Sequence, residues 1–96
     1  MKTYFTLLRK KDMGNTAKLI YCFMLNRVEI DKKINNPKQI SYSSAELSDN
    51  LGCDEKTIRN GLKELEDDGY IQIIKEKGKK NKFSLVREKY NEIVNT

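Results

Sequence analysis

The sequence predicts a small α+β fold, mainly helical, built as one domain over residues 1–96. Three observations carry that expectation. The apolar run at 19–25 is far shorter than the about 20 residues that cross a bilayer, so it marks a core helix. Residues 43–69 hold two helical patterns separated by Gly52. Residues 70–87 alternate as two strands around the tip Gly78-Lys79-Lys80-Asn81. With 96 residues, 38 % of them hydrophobic, the chain can bury a real though modest core.

Each element follows from local signals. Residues 1–13 read as an N-terminal arm, a short strand or extended segment that turns basic at Arg9-Lys10-Lys11. Its charge follows the apolar stretch, the reverse of a secretory signal, so a cytoplasmic protein is expected. Gly14 breaks the chain, and Asn15 and Thr16 supply side chains able to cap a helix over 16–28. Leu19, Ile20, Phe23 and Val28 share one face of that helix, and Tyr21, Cys22, Met24 and Leu25 fill most of the rest. A helix apolar nearly all round is buried on more than one side. It is either central or shared with a second copy.

Polar residues 31–38, with Asn35-Asn36-Pro37, read as a turn or loop, and 39–42 as a short strand. Ser43 with Glu46 three residues on is a capping box, opening a helix over 44–51 with Ala45, Leu47 and Leu51 inward. Gly52 ends it, and Asp54 caps the next helix, whose Ile58, Leu62 and Leu65 recur at helical spacing. Asp67-Asp68-Gly69 closes that helix. Strands at 70–77 and 82–87 flank the tip, and a helix at 88–94 lies in a C-terminal tail, 87–96. The expected core is Phe23, Leu47, Ile58, Leu62, Leu65, Ile71 and Phe83.

Helix, short strand, helix, tight turn, helix, then a hairpin is the order of a winged helix-turn-helix, with the C-terminal hairpin as wing. The tight turn makes the second helix stand out from the body, where it can enter a major groove about 12 Å wide. Opposite its apolar stripe lie Lys56, Asn60 and Lys63, flanked by Thr57 and Arg59. Arginine pairs with guanine, asparagine with adenine, and lysine and threonine reach phosphates. Plain solvation of an amphipathic helix would also produce a polar face.

The wing favours the first reading. Residues 75–82 carry five lysines and one glutamate, with Lys77, Lys79, Lys80 and Lys82 placed to lie over a phosphate backbone. The whole chain has a net charge of +5 and an isoelectric point of about 9.2. Both favour a polyanion, nucleic acid before an anionic membrane. The acidic residues Glu64, Glu66, Asp67 and Asp68 gather at the far end of the second helix, facing away from DNA or meeting a partner.

Other chemistry finds little to work with. The chain has no histidine and two cysteines, Cys22 and Cys53, without metal-ligand spacing. Cys22 reads as a buried small hydrophobe. No Gly-rich phosphate loop and no carboxylate pair on a catalytic scaffold is present. A non-enzymatic protein with no cofactor, metal, small-molecule ligand or membrane association is expected.

The stretch Asn15-Thr16-Ala17-Lys18-Leu19-Ile20-Tyr21, continuing through Leu25-Asn26-Arg27, resembles the first helix of plasmid replication initiators of the replication initiator protein A type, from low-GC Gram-positive bacteria. The stretch from Thr57 to Ile71 resembles the recognition helix and following strand that those initiators share with many small winged-helix regulators. The resemblance spans roughly residues 5–86. It implies a DNA-binding domain that recognises repeated sites in the replication origin of a plasmid or other mobile element. In that family a long C-terminal part follows, whereas this sequence stops at Thr96, as a piece of a longer protein or a stand-alone one would. A small transcriptional regulator, and a winged helix that binds protein instead of DNA, are the alternatives. A homodimer formed through the first helix and the terminal segments is also expected, the alternative being that the arm and the terminal helix fold back over the first helix of the same copy.

Overall fold

The computed structural model describes residues 4–30, 39–75, 77–78 and 80–94. The order is α1 (Phe5–Leu8), α2 (Asn15–Ile30), β1 (Gln39–Ser41), α3 (Ser44–Leu51), α4 (Glu55–Asp67), β2 (Ile71–Ile74), β3 (Lys82–Leu85) and α5 (Arg87–Val94). Helices α2, α3 and α4 pack on one another, and α2 and α4 meet a three-stranded antiparallel sheet of order β1-β3-β2. This is a winged helix-turn-helix of α+β class.

Register explains how the sheet covers the helices. Ile40, Phe83 and Ile73 stand side by side across β1, β3 and β2, and Ile71 pairs with Leu85 one step along. Alternation puts these on one face, and all but Ile73 are buried. Leu47, Ile58, Leu62 and Leu65 meet them from α3 and α4, and Ala17, Ile20, Tyr21, Met24 and Leu25 from α2. The expected core is therefore buried except for Phe23, which is half-buried, its ring edge-on to Tyr42 at 5.3 Å.

Several local expectations need correcting. The arm is neither strand nor extended: Tyr4 leads into α1, and Tyr4, Leu7 and Met13 join the core. Asn15 and Thr16 lie inside α2 instead of capping it, and the Gly14 carbonyl accepts the Lys18 N–H. Ala45 is exposed, because two residues apart on a helix lie almost opposite, and Leu47 holds the inward side. The wing strands are shorter than predicted: β2 stops at Ile74, and β3 yields to α5 at Arg87. The expected loop at 31–38 lies outside the described residues.

Tyr4, Leu7 and Met13 from one terminus and Ile93 from the other belong to the same cluster as α2. Apolar side chains from both termini thus pack with α2 within one copy. Phe5, Leu8 and Leu19 stay exposed. Among the described residues, no helix is long and apolar enough to cross a membrane.

Candidate nucleic-acid interface

The unit α3-turn-α4 is built from caps. The Ser43 side chain accepts the Glu46 N–H at 3.1 Å and Glu46 Oε1 accepts the Ser43 N–H at 3.2 Å, so both halves of the capping box are present. Gly52 ends α3 with φ of 69°, a left-handed conformation that costs glycine nothing. Two residues later Asp54 opens α4, its carboxylate accepting the Thr57 N–H at 2.7 Å. The Thr57 amide, and then its hydroxyl, hold the Asp54 carboxyl below the usual range. The Ser48 hydroxyl donates to the Cys53 carbonyl and braces the turn between them.

With Ile58, Leu62 and Leu65 buried, the phase of α4 is set. Lys56, Arg59, Asn60 and Lys63 are exposed on its outer side, and among the described residues their side chains make no ion pair or hydrogen bond. Thr57 differs: it is half-buried and engaged with its own cap.

Gly61 was not singled out by its residue type, yet it governs where α4 sits. It is buried against α2, and a Cβ there would lie 2.7 Å from Ile20 Cδ1 and 3.2 Å from Thr16 Cγ2. Only a residue without a side chain lets the two helices come this close.

The acidic end of α4 has structural partners. Glu64 Oε2 accepts the Gly14 N–H at 2.7 Å, placing a carboxylate at the start of α2, where the helix dipole is positive. Glu66 Oε2 accepts the Ile73 N–H at 3.3 Å on the edge strand β2. Two of the four acidic side chains thus serve the fold, a use that the cluster alone did not reveal.

The wing cations differ in their surroundings. Lys77 is exposed near the tip, and so is Lys75, which the sequence reading left out. Lys82 is half-buried within β3. Lys80 pairs with Glu46 of α3 at 2.7 Å. Lys79 lies outside the described residues. Behind the interface, Lys10 and Lys89 approach the Tyr70 ring at 5.7 Å and 5.3 Å from its centroid, and Tyr70 meets Tyr21 edge-on at 5.4 Å. This arrangement fastens the arm and α5 to the body. Cys22 is buried and Cys53 half-buried, both as free thiols; burial pushes the Cys22 thiol up.

A family model described as a helix-turn-helix domain matches residues 11–71, from the end of the arm to the first residue of β2. No curated protein and no solved structure matches the chain. The matched stretch contains α2, β1, α3, the Gly52 turn and α4 with all its caps. The chain belongs to the helix-turn-helix domain family.

Proposed function

We propose that this domain binds double-stranded DNA with sequence preference, α4 entering the major groove and the wing lying along a flanking phosphate backbone. One observation carries the reading: Lys56, Arg59, Asn60 and Lys63 are exposed together on the outer side of α4, their side chains in no hydrogen bond or ion pair among the described residues. A solvated face needs no such set of base-reading and phosphate-reading groups. Lys77 and Lys79, with Lys75, would extend the contact along the wing, and the net charge of +5 would speed encounter with a polyanion. Thr57 would act by ordering the first turn of α4, and Lys82 from the base of the wing. The domain acts by binding and not by catalysis.

The same reading includes the target class. Repeated sites in the replication origin of a plasmid or mobile element are proposed, from the resemblance of the first helix and recognition helix to plasmid initiators. Selection from a pool of random duplexes tests both parts. Enrichment of one motif, and its occurrence as repeats in an origin, would support them; recovery of no motif would defeat sequence preference. Arg59→Ala should weaken the selected site by about 1–3 kcal/mol and random duplex by less. Equal loss on both would make Arg59 a phosphate contact.

A further inference from the structure

The returning limb of the wing is fastened at three points, two at the end of β1 and one in the first turn of α3. The Asn81 carbonyl accepts the Tyr42 N–H at 3.3 Å and the Ser41 hydroxyl at 3.4 Å. Beside it, Lys80 Nζ lies 2.7 Å from Glu46 Oε1. That oxygen is already committed, because it accepts the Ser43 N–H in the capping box. Glu46 cannot swing out to follow a mobile lysine without opening the cap of α3. Lys80 is also the foremost cause holding the Glu46 carboxyl below its usual range, ahead of the Ser43 amide.

We propose that Lys80 is a positioning residue: it docks the wing on α3 by neutralising Glu46, and it is not itself a phosphate contact. The proposal rests on the duplex-binding reading above and assigns the wing charges within it. In a helix-turn-helix, the helix preceding the recognition helix crosses the phosphate backbone. An uncompensated carboxylate in its first turn would repel those phosphates. Paired, Lys80 and Glu46 carry no net charge, and counterion release from the wing falls to Lys75, Lys77 and their neighbours. Lys80 fixes where those cations lie.

Salt dependence of duplex binding separates the two roles. The intact chain and its Lys80→Met, Glu46→Gln and doubly substituted variants are titrated with a labelled random-sequence duplex over a range of salt. Glutamine can still accept the Ser43 N–H, so the cap survives. Each cation that neutralises a phosphate contributes about 0.9 to the slope of log K against log salt. Under the proposal, Glu46→Gln steepens the slope by up to about 0.9, Lys80→Met makes it shallower by at least about the same, and the double variant, which has no unpaired carboxylate, stays steeper than Lys80→Met. If Lys80 contacts a phosphate directly, Glu46→Gln leaves the slope unchanged and the double variant behaves as Lys80→Met; that result overturns the proposal.

A second measurement needs no DNA. The Glu46 carboxyl, titrated by NMR, should move up toward the ordinary range in Lys80→Met, and an unmoved titration also overturns the docking. Should the parent chain fail to bind any duplex, the DNA reading falls, while the NMR titration still decides the Lys80–Glu46 contact.

Discussion

Replacing Gly61 with alanine tests the account of how α4 is seated. The new methyl group would stand 2.7 Å from Ile20 Cδ1, whereas carbon atoms prefer about 3.5–4.0 Å. One of the two must therefore move by roughly 1 Å, in a region where Ile20 is completely buried. Overpacking of this kind costs about 1–3 kcal/mol. Alanine in place of glycine inside a helix returns about 1 kcal/mol. The net expectation is a loss of about 1 kcal/mol, or roughly 4–8 °C in melting temperature for a domain of this size. Urea unfolding followed by circular dichroism measures it, with an unchanged m-value expected. Ile20→Val supplies the control, since it removes the clashing Cδ1 itself. In that background Gly61→Ala should become neutral or stabilising, a coupling of about 1 kcal/mol or more. Losses that add to within about 0.5 kcal/mol would refute close helix approach as the reason for glycine here.

Three further outcomes are expected. Tyr21→Phe should raise stability by about 1 kcal/mol, because the Tyr21 hydroxyl is buried with no hydrogen-bond partner among the described residues and burial pushes its pKa up; a fall of several degrees on thermal unfolding would mean that the hydroxyl is anchored. Glu46 and Asp54 both titrate below the usual carboxylate range when folded, so the folded state binds fewer protons there and stability rises with pH through that window. Melting temperature should accordingly hold above about pH 5 and fall below about pH 4, less steeply in the Glu46→Gln/Asp54→Asn variant; parallel curves would count against both contacts. Sedimentation of the free chain at micromolar concentration should give a monomer, since Tyr4, Leu7, Met13 and Ile93 already belong to the cluster around α2; a dimer would return the exposed Phe5, Leu8 and Leu19 to the role of an interface.

The parts of this architecture legible in the sequence are those encoded within a few residues. Ser43 with Glu46, Gly52 as a stop and Asp54 as a start are local chemistry, and all three hold in the structure. The phase of α4 follows from Ile58, Leu62 and Leu65, and with it the exposure of Lys56, Arg59, Asn60 and Lys63. The arm is ambiguous in sequence because Tyr4-Phe5-Thr6-Leu7-Leu8 is too short to separate a strand from one helical turn; in the structure it is a turn of helix with Leu7 in the core. Gly61, the Glu64–Gly14 bond and the Lys80–Glu46 pair join residues brought together only by the fold. No spacing along the chain announces them. The wing lysines look equivalent in sequence for the same reason, and the pairing of Lys80 distinguishes it from Lys77.

Helix α4 is held at three heights: by the Asp54 cap at its start, by Ile20 against Gly61 at its middle and by the Glu64 bond to Gly14 near its end. A helix gripped along its length cannot tilt or slide to follow a groove. On binding, little backbone freedom remains to be lost, and the entropic cost falls on the long side chains of its outer face. The duplex must then do the adapting. Base steps that widen or bend easily would be accepted at lower cost than stiff ones, even where no side chain reaches them. The stiffness of the protein would in this way become a sequence filter for flexible DNA.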